Sequence, residues 1–416
     1  MNRVQQNTMK FMALLCLLFS LYMSLNAQCE RKLMVEDYEQ YFLGTQVLNS
    51  NLGWDGDVNQ CIAGNISADA RKKTLERINY FRQLVHLPTS IGMDDDLTNM
   101  CQKAALMMHS NNQLSHDPDE NWSCFSSEGK TAASKSNLAL GAHSTEAINL
   151  FMFDPGENNT AVGHRRWILY SRAKDFGMGS TNRAFALYVI HNKIPKPDGL
   201  GFVAYPSAGY FPAPLLPDRW SISYPGADFS RSSVAVQDES GEQVDLVILP
   251  LKNGFGDNTL VWEITPGAID KFASFDQTFS VTVQNVQVGA QDTSFTYETV
   301  IAPPTYPPLC KDGYTWNDSS CNCENQELIT AVGELNNSTF QIFPNPASNF
   351  ARVNLPDAWE LGNTIFTLTD LSGRRVMDLD CKTGAILDLE RVPEGFYTAI
   401  AQHGYERKYV KFIVKH

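Results

Sequence analysis

Apolar positions recur at three- and four-residue spacing in the first half of the chain. Leu75, Ile78, Phe81, Leu84 and Val85 predict a helix from Ser67 to about His86, capped by Ser67 and stopped by Pro88. Leu97, Cys101, Ala104, Ala105 and Met108 predict a second helix, opening on Asp94-Asp95-Asp96, where carboxylates meet the positive end of the helix dipole. The same aspartates would suit a calcium loop, but capping accounts for them. A third helix is expected from Ser144 through Ile148 and Phe151, ending in the turn residues Asp154-Pro155-Gly156.

After Lys174 the period changes to that of strands. Gly177-Met178-Gly179 and the run Ala184 to Ile190 predict a strand pair whose second member is largely buried. From about Pro195 to Ala302, short alternating runs such as Val281-Thr282-Val283 and Phe295-Thr296-Tyr297 predict a β-sandwich. Pro303, Pro304, Pro307 and Pro308 stiffen a linker, and beyond Phe340 short strands broken by Pro and Gly predict a small all-β region. Two alternatives stand for the aromatic cluster around Tyr205, Tyr210, Phe211 and Trp220: a platform for sugars or proline-rich peptides, or a packed seam between domains. The seam is favoured, because so many rings are costly to expose.

The N-terminal pattern bears on destination. Arg3 and Lys10 precede an apolar run from Phe11 to Leu25, too short for a span of about 20 residues, and small Ala27 offers a cut. Residues 1–27 are therefore expected to be a signal peptide. A lipid anchor on Cys29 is the rival, disfavoured because Gln28 stands where such signals need a small residue. No later run reaches membrane length. Composition then removes one class of partner: 33 Lys and Arg against 46 Asp and Glu give a net charge of −13, which argues against nucleic acid.

Nine cysteines become eight without Cys16, an even number suited to an oxidising destination. Eight allow 105 connectivities. Local grouping suggests Cys29 with Cys61, Cys101 with Cys124, and Cys310 with Cys321 or Cys323 around Asp312-Gly313-Tyr314. Zinc at Cys310, Cys321 and Cys323 is the rival to that hook, and the Cys-x-Cys gap is too short for a usual zinc knuckle.

Two resemblances follow from motifs. Asn79 and Arg82, Leu114-Ser115-His116, Ser136-Asn137-Leu138-Ala139 and Gly163-His164-Arg165-Arg166-Trp167 together resemble the CAP superfamily of cysteine-rich secretory, antigen 5 and pathogenesis-related proteins, in its bacterial branch. The resemblance implies an α-β-α sandwich with a cleft of two histidines and two acids. His116 and His164 match the histidines, Ser136 replaces the first glutamate, and Asp154 falls near the second acid. Phe343-Pro344-Asn345-Pro346, Asp370-Leu371-Ser372-Gly373-Arg374 and Val392-Pro393-Glu394-Gly395-Phe396-Tyr397 resemble the C-terminal sorting domain of type IX secretion cargo from Bacteroidetes. That implies a partner in the export machinery and a destination in the medium or on the outer surface.

The expected fold class is α+β: a signal peptide at 1–27, an extension at 28–70, a CAP-like α-β-α domain at 71–194, a β-sandwich at 195–302, a Pro/Cys-rich linker at 303–337 and the sorting domain at 338–416. Candidate cleft residues are His116, Ser136, Asn137, Asp154, His164 and Arg165. His116 and His164 are also candidate ligands of a divalent metal such as zinc. Plainer roles exist for each: His116 as a cation at a helix C-terminus, Asp154 as a turn former, Asn137 as a loop holder, Trp167 as core, and the arginines as ion-pair partners or an anion patch. The leading functional expectation is a surface or secreted module that binds a small ligand or a metal. The alternatives are a metal-assisted hydrolase using His116, His164 and Asp154, and an adhesin acting through the β-sandwich.

Overall fold

The computed structural model describes residues 29–311, 313–318, 320–325, 340–356, 359, 364–370, 375–382, 384–403 and 406–416. The expected signal peptide, Asp312 and the Leu371-Ser372-Gly373-Arg374 stretch lie outside the described residues. The chain forms two compact units, Met1–Leu328 and Ile329–His416.

In the first unit, α1 (Glu30–Asp37) runs into a π-helical turn (Tyr38–Leu43), followed by the short α2 (Asn49–Leu52). Helix α3 (Ala68–Leu84) starts where expected, with Ser67 Oγ accepting the Ala70 N–H at 3.1 Å. A short strand β1 (Gly92–Met93) leads to α4 (Asp95–Asn111), and Asp94 Oδ1 accepts the Leu97 N–H at 2.9 Å, so that carboxylate caps the helix. There follow α5 (Ser127–Ala133), β2 (Ser136–Leu140), α6 (Ser144–Phe153), α7 (Gly163–Ile168), β3 (Asp175–Ser180) and β4 (Ala184–Tyr188). The sheet order is β1-β3-β4-β2, with β1 parallel to β3 and the other pairs antiparallel.

Strand β4 explains why this sheet lies between helices. Phe185 and Leu187 pack with Phe81 of α3 and Ile148 and Phe151 of α6, whereas Ala184, Ala186 and Tyr188 pack with Leu97, Ala104 and Ala105 of α4. Both faces are therefore core. Helix α4 approaches β3 so closely that a Cβ on Gly177 would strike Leu97 and one on Gly179 would strike the backbone of Cys101 and Gln102.

The remaining strands of this unit are β5 (Val203–Tyr205), β6 (Gly209–Pro212), β7 (Arg219–Ser223), β8 (Ala227–Asp228), β9 (Ser233–Asp238), β10 (Leu246–Ile248), β11 (Thr259–Ile264), β12 (Gln277–Val288), β13 (Gln291–Ala302) and the hairpin β14 (Tyr314–Asn317) and β15 (Asn322–Asn325). One sheet runs β10-β11-β7-β5; the other runs β6-β13-β12-β8, with β9 also on β12. Trp220, Trp262 and Phe279 fill their core, which is continuous with Phe81, Ile148 and Phe151. Tyr205, Phe211 and Trp220 are buried along the way, so these three rings are a packed seam and not a platform, while Tyr210 is half-buried.

The cysteine pairing departs from the expectation. Cys61 bonds Cys124, and Cys310 bonds Cys323. Cys101 cannot serve Cys124, because it faces inward from α4, with Sγ 3.6 Å from the Gly177 carbonyl oxygen. Cys310 and Cys323 form the expected hook, with their sulfurs in the disulfide instead of on zinc.

The second unit contains β16 (Gln341–Phe343), β17 (Phe350–Asn354), β18 (Thr364–Asp370), β19 (Arg375–Cys381), β20 (Ile386–Asp388), β21 (Gly395–His403) and β22 (Glu406–Val414). Its sheets run β16-β17-β20 and β19-β18-β21-β22 around Phe366, Leu368, Leu387, Ala399 and Phe412. No helix among the described residues is long and apolar enough to cross a membrane.

Candidate functional site

Two histidines 48 positions apart line one cleft of about 370 Å³, together with Ser134, Ser136, Asn137 and Trp167. His116 lies in the exposed connection after α4, five residues beyond the helix end, so it does not cap that helix. Its Nδ1 is 2.8 Å from the Ala133 carbonyl oxygen at the end of α5. A carbonyl only accepts, so Nδ1 carries a proton, and in the neutral ring Nε2 presents a lone pair.

His164 is held differently, with the same result. Helix α6 ends at Asp154, whose backbone is left-handed at φ 47°, a conformation that Asp tolerates. This turns the carboxylate, 1% exposed, toward the start of α7. Oδ1 lies 2.8 Å from His164 Nδ1, and Oδ2 accepts the His164 backbone N–H at 2.9 Å. Phe151 stacks on the imidazole at 5.0 Å and 23°. Nδ1 again donates, and neither imidazole Nε2 has a protein hydrogen-bond partner among the described residues. Just before this, buried Val162 has φ 44°, a strained conformation for a β-branched residue, in the turn that presents Gly163 and His164.

The other candidates separate. Ser136 and Asn137 lie on β2, both buried at the cleft wall. Ser136 Oγ is 3.7 Å from Cys101 Sγ and has no hydrogen bond to either imidazole, so no serine–histidine pair is formed. Asn137 Nδ2 donates to the His164 carbonyl at 3.0 Å, the loop-holding role. Asp154 reaches the cleft only through His164.

Arg165 does not line the cleft. It is buried, and its guanidinium donates to the carbonyls of Met152 (2.6 Å), Phe153 (3.3 Å) and Arg219 (2.8 Å) and to Ser221 Oγ (3.3 Å), under the Tyr205 ring at 4.7 Å. Arg166 likewise donates to the carbonyls of Lys252 and Asp257, at 2.8 and 3.0 Å. Burial pushes both groups down to about 10. Apart from Arg166 Nε, which has no partner among the described residues, their N–H groups bind mainly backbone oxygens, those of Met152, Phe153 and Ala161 beside the helices and of Arg219, Lys252 and Asp257 in the β-sandwich. They therefore tie the two parts together and form no anion patch.

Trp167, expected in the core, is half-buried and lines the cleft. Asn158, Asn159, Gly254 and Phe255 also line it, none of them among the expected cleft residues. Phe255 comes from the β10–β11 connection, between Gly254 and Gly256, which have φ of 96° and 52°. An aromatic flanked by two glycines far along the chain was the available signal.

A zinc ion held by protein needs three or four donors. The cleft supplies two Nε2 atoms, with serine where a glutamate would stand, and among the described residues no group of three or more His, Cys, Asp or Glu is placed to hold a metal. The residues present do not fit that group.

Residues 75–190 match the family model described as the cysteine-rich secretory protein family, CAP, and residues 341–415 match the secretion system C-terminal sorting domain. No curated protein sequence matches the chain. Among solved structures, a biofilm-associated protein BSP domain overlaps 51% of this chain and 29% of its own, at 12% identity and TM-score 0.15. The periplasmic chaperone SfaE overlaps 52% and 100%, at 11% and 0.19. Dimeric latent PorU from Porphyromonas gingivalis overlaps 55% and 22%, at 13% and 0.16. Overlaps this loose carry no argument about the chain. The two family matches do: this is a secreted or cell-surface protein carrying a CAP domain at 75–190 and a type IX secretion sorting domain at 341–415.

Proposed function

We propose that the protein works outside the cell as a binding module whose cleft takes a small neutral ligand. The observation that carries this reading is the pair of imidazoles in one cleft, each fixed through Nδ1 with Nε2 free of protein partners among the described residues and, in the neutral ring, an acceptor. Two acceptors beside Asn158 and Asn159 suit hydroxyl donors, and Trp167 and Phe255 offer an apolar flank. A sugar ring has both properties. A signal peptide at 1–27 would start the chain on its route, and the sorting domain serves as its address.

The Asp154–His164 pair favours a second reading, metal-assisted hydrolysis, because a carboxylate on the distal nitrogen is how ligating imidazoles are usually oriented. Among the described residues no third donor joins the two imidazoles, which counts against it.

Titration calorimetry of the full-length protein with a panel of monosaccharides and disaccharides tests the first reading. Binding is expected, weakened about 10-fold or more in His116→Ala, His164→Ala and Trp167→Ala, since each removes at least one contact of about 1.4 kcal/mol. A sugar bound equally by all three variants refutes the cleft as its site. No binding refutes the ligand class. Stoichiometric zinc binding lost in His116→Ala would replace it with the second reading.

A further inference from the structure

The cysteine count leaves a remainder that the structure resolves. Two disulfides use four of the cysteines after Cys16, and Cys29, Cys101, Cys321 and Cys381 remain as thiols. Two of these have no route to a partner. Cys101 is sealed between α4 and β3, where burial pushes its thiol up to about 12, and Cys381 is buried in the other unit, where burial pushes it up to about 11. Cys29 and Cys321 are partly exposed and lie near enough for Cys29 to perturb the Cys321 thiol, whose Sγ is also 3.6 Å from the Asp318 carbonyl oxygen.

Their neighbourhood is built. Cys29 precedes α1, and Arg31 on that helix is fully buried. Arg31 Nε and Nη2 hold both carboxylate oxygens of Asp276 at 2.8 and 2.9 Å, Nη2 also donates to the Pro303 carbonyl at 3.1 Å, and Nη1 donates to that of Thr305 at 2.5 Å. Lys32 Nζ stands 5.7 Å over the Tyr306 ring, and Arg31 stands 6.0 Å over Trp316. On the hook side, Asp318 Oδ1 accepts both Tyr306 Oη at 2.6 Å and Trp316 Nε1 at 2.9 Å, three residues before Cys321. The start of α1 and the β14–β15 hairpin are thus fixed at the same place by contacts independent of the cysteines. The hook alone holds three cysteines, Cys310, Cys321 and Cys323, an odd number that cannot be satisfied internally.

We infer that Cys29 and Cys321 form a third disulfide, which closes the first unit by joining the beginning of α1 to the cysteine hook. The sulfurs bond to each other, and each thiol gives up its proton. The two electrons pass to a protein disulfide of a thiol oxidase in the exported compartment, which leaves as a dithiol. The hydrogen bond to Cys29 and partial burial push the Cys321 thiol up to about 11. The Cys321 thiol is therefore a weak spontaneous nucleophile, and closing the bond depends on that oxidant. Once formed, the bond spans 292 positions and holds α1 on the surface that Arg31 occupies, where an exported chain meets proteases.

Thiol counting on the full-length exported protein tests this. Native wild type is expected to show no thiol reactive to maleimide, Cys29→Ser and Cys321→Ser one each, and the double variant none. Mass spectrometry of an unreduced digest should yield a peptide pair joined through Cys29 and Cys321, and proteolysis within α1 should be at least several-fold faster in either single variant. Two reactive thiols in native wild type overturn the proposal, as does Cys29 or Cys321 joined to any other cysteine. Because wild type alone decides the linkage, a misfolded variant does not weaken the test.

Discussion

Asp154 holds His164 by two bonds at once, its Oδ1 on the ring Nδ1 and its Oδ2 on the backbone N–H. Side chain and main chain of the histidine are thereby fixed by one carboxylate. Asp154→Asn keeps the left-handed backbone but turns an amide donor toward one of the two N–H groups. A loss of about 1.5–3 kcal/mol in urea unfolding is expected, together with a shift of His164 toward the Nε2–H tautomer in imidazole ¹⁵N spectra. Retention of the Nδ1–H form would show that something other than Asp154 orients the ring.

Arg165 joins the two halves of the first unit. Arg165→Met leaves carbonyls of Met152, Phe153 and Arg219 without their donor, and a destabilisation of at least about 3 kcal/mol is expected, since each stranded buried group costs about 1–3 kcal/mol. Arg165→Lys should recover little, because one ammonium cannot reach oxygens spread around a planar fork. Denaturant midpoints of the two variants check both statements.

Gly179→Ala places a methyl group into the backbone of α4. A loss of about 3 kcal/mol or more is expected, at the upper end of overpacking costs, because helix backbone has no rotamer with which to yield. Thermal unfolding of the variant beside Gly201→Ala, where a Cβ meets open space, isolates the effect.

His109, beside Trp54 on α4, has its imidazole pushed below its ordinary 6.5, by burial first and then by the Arg183 charge. Below that value the unfolded chain takes up the proton more readily than the folded one, so stability is full above about pH 6.5 and falls as pH drops through the folded value. Urea unfolding at pH 7.5 and 5.0 should show a smaller acid loss in His109→Gln than in wild type. An identical loss would place the acid sensitivity elsewhere.

What could be read from the sequence was local or carried by motif. Ser67 and Asp94 cap their helices as their positions announce, Phe185 and Leu187 alternate with Ala184 and Ala186 as a doubly covered strand must, and the match to a family put His116 and His164 together. Periodicity has no access to contacts between distant segments. The carbonyls that receive Arg165 and Arg166 lie up to 91 positions away, and backbone oxygens leave no mark in a sequence. Phe255 on the cleft wall and the Cys61–Cys124 bond depend on the same kind of distant closure.

One wall of the histidine cleft, Gly254 and Phe255, comes from residues well outside the stretch that matches the CAP model. A fragment cut at 75–190 would lack that wall and the β-sandwich oxygens that receive Arg165 and Arg166, and would cut through the core that runs on from Phe81 and Ile148 to Trp220 and Trp262. Such a piece should be recovered as an insoluble product, and any negative binding result obtained with it would describe the cut and not the protein.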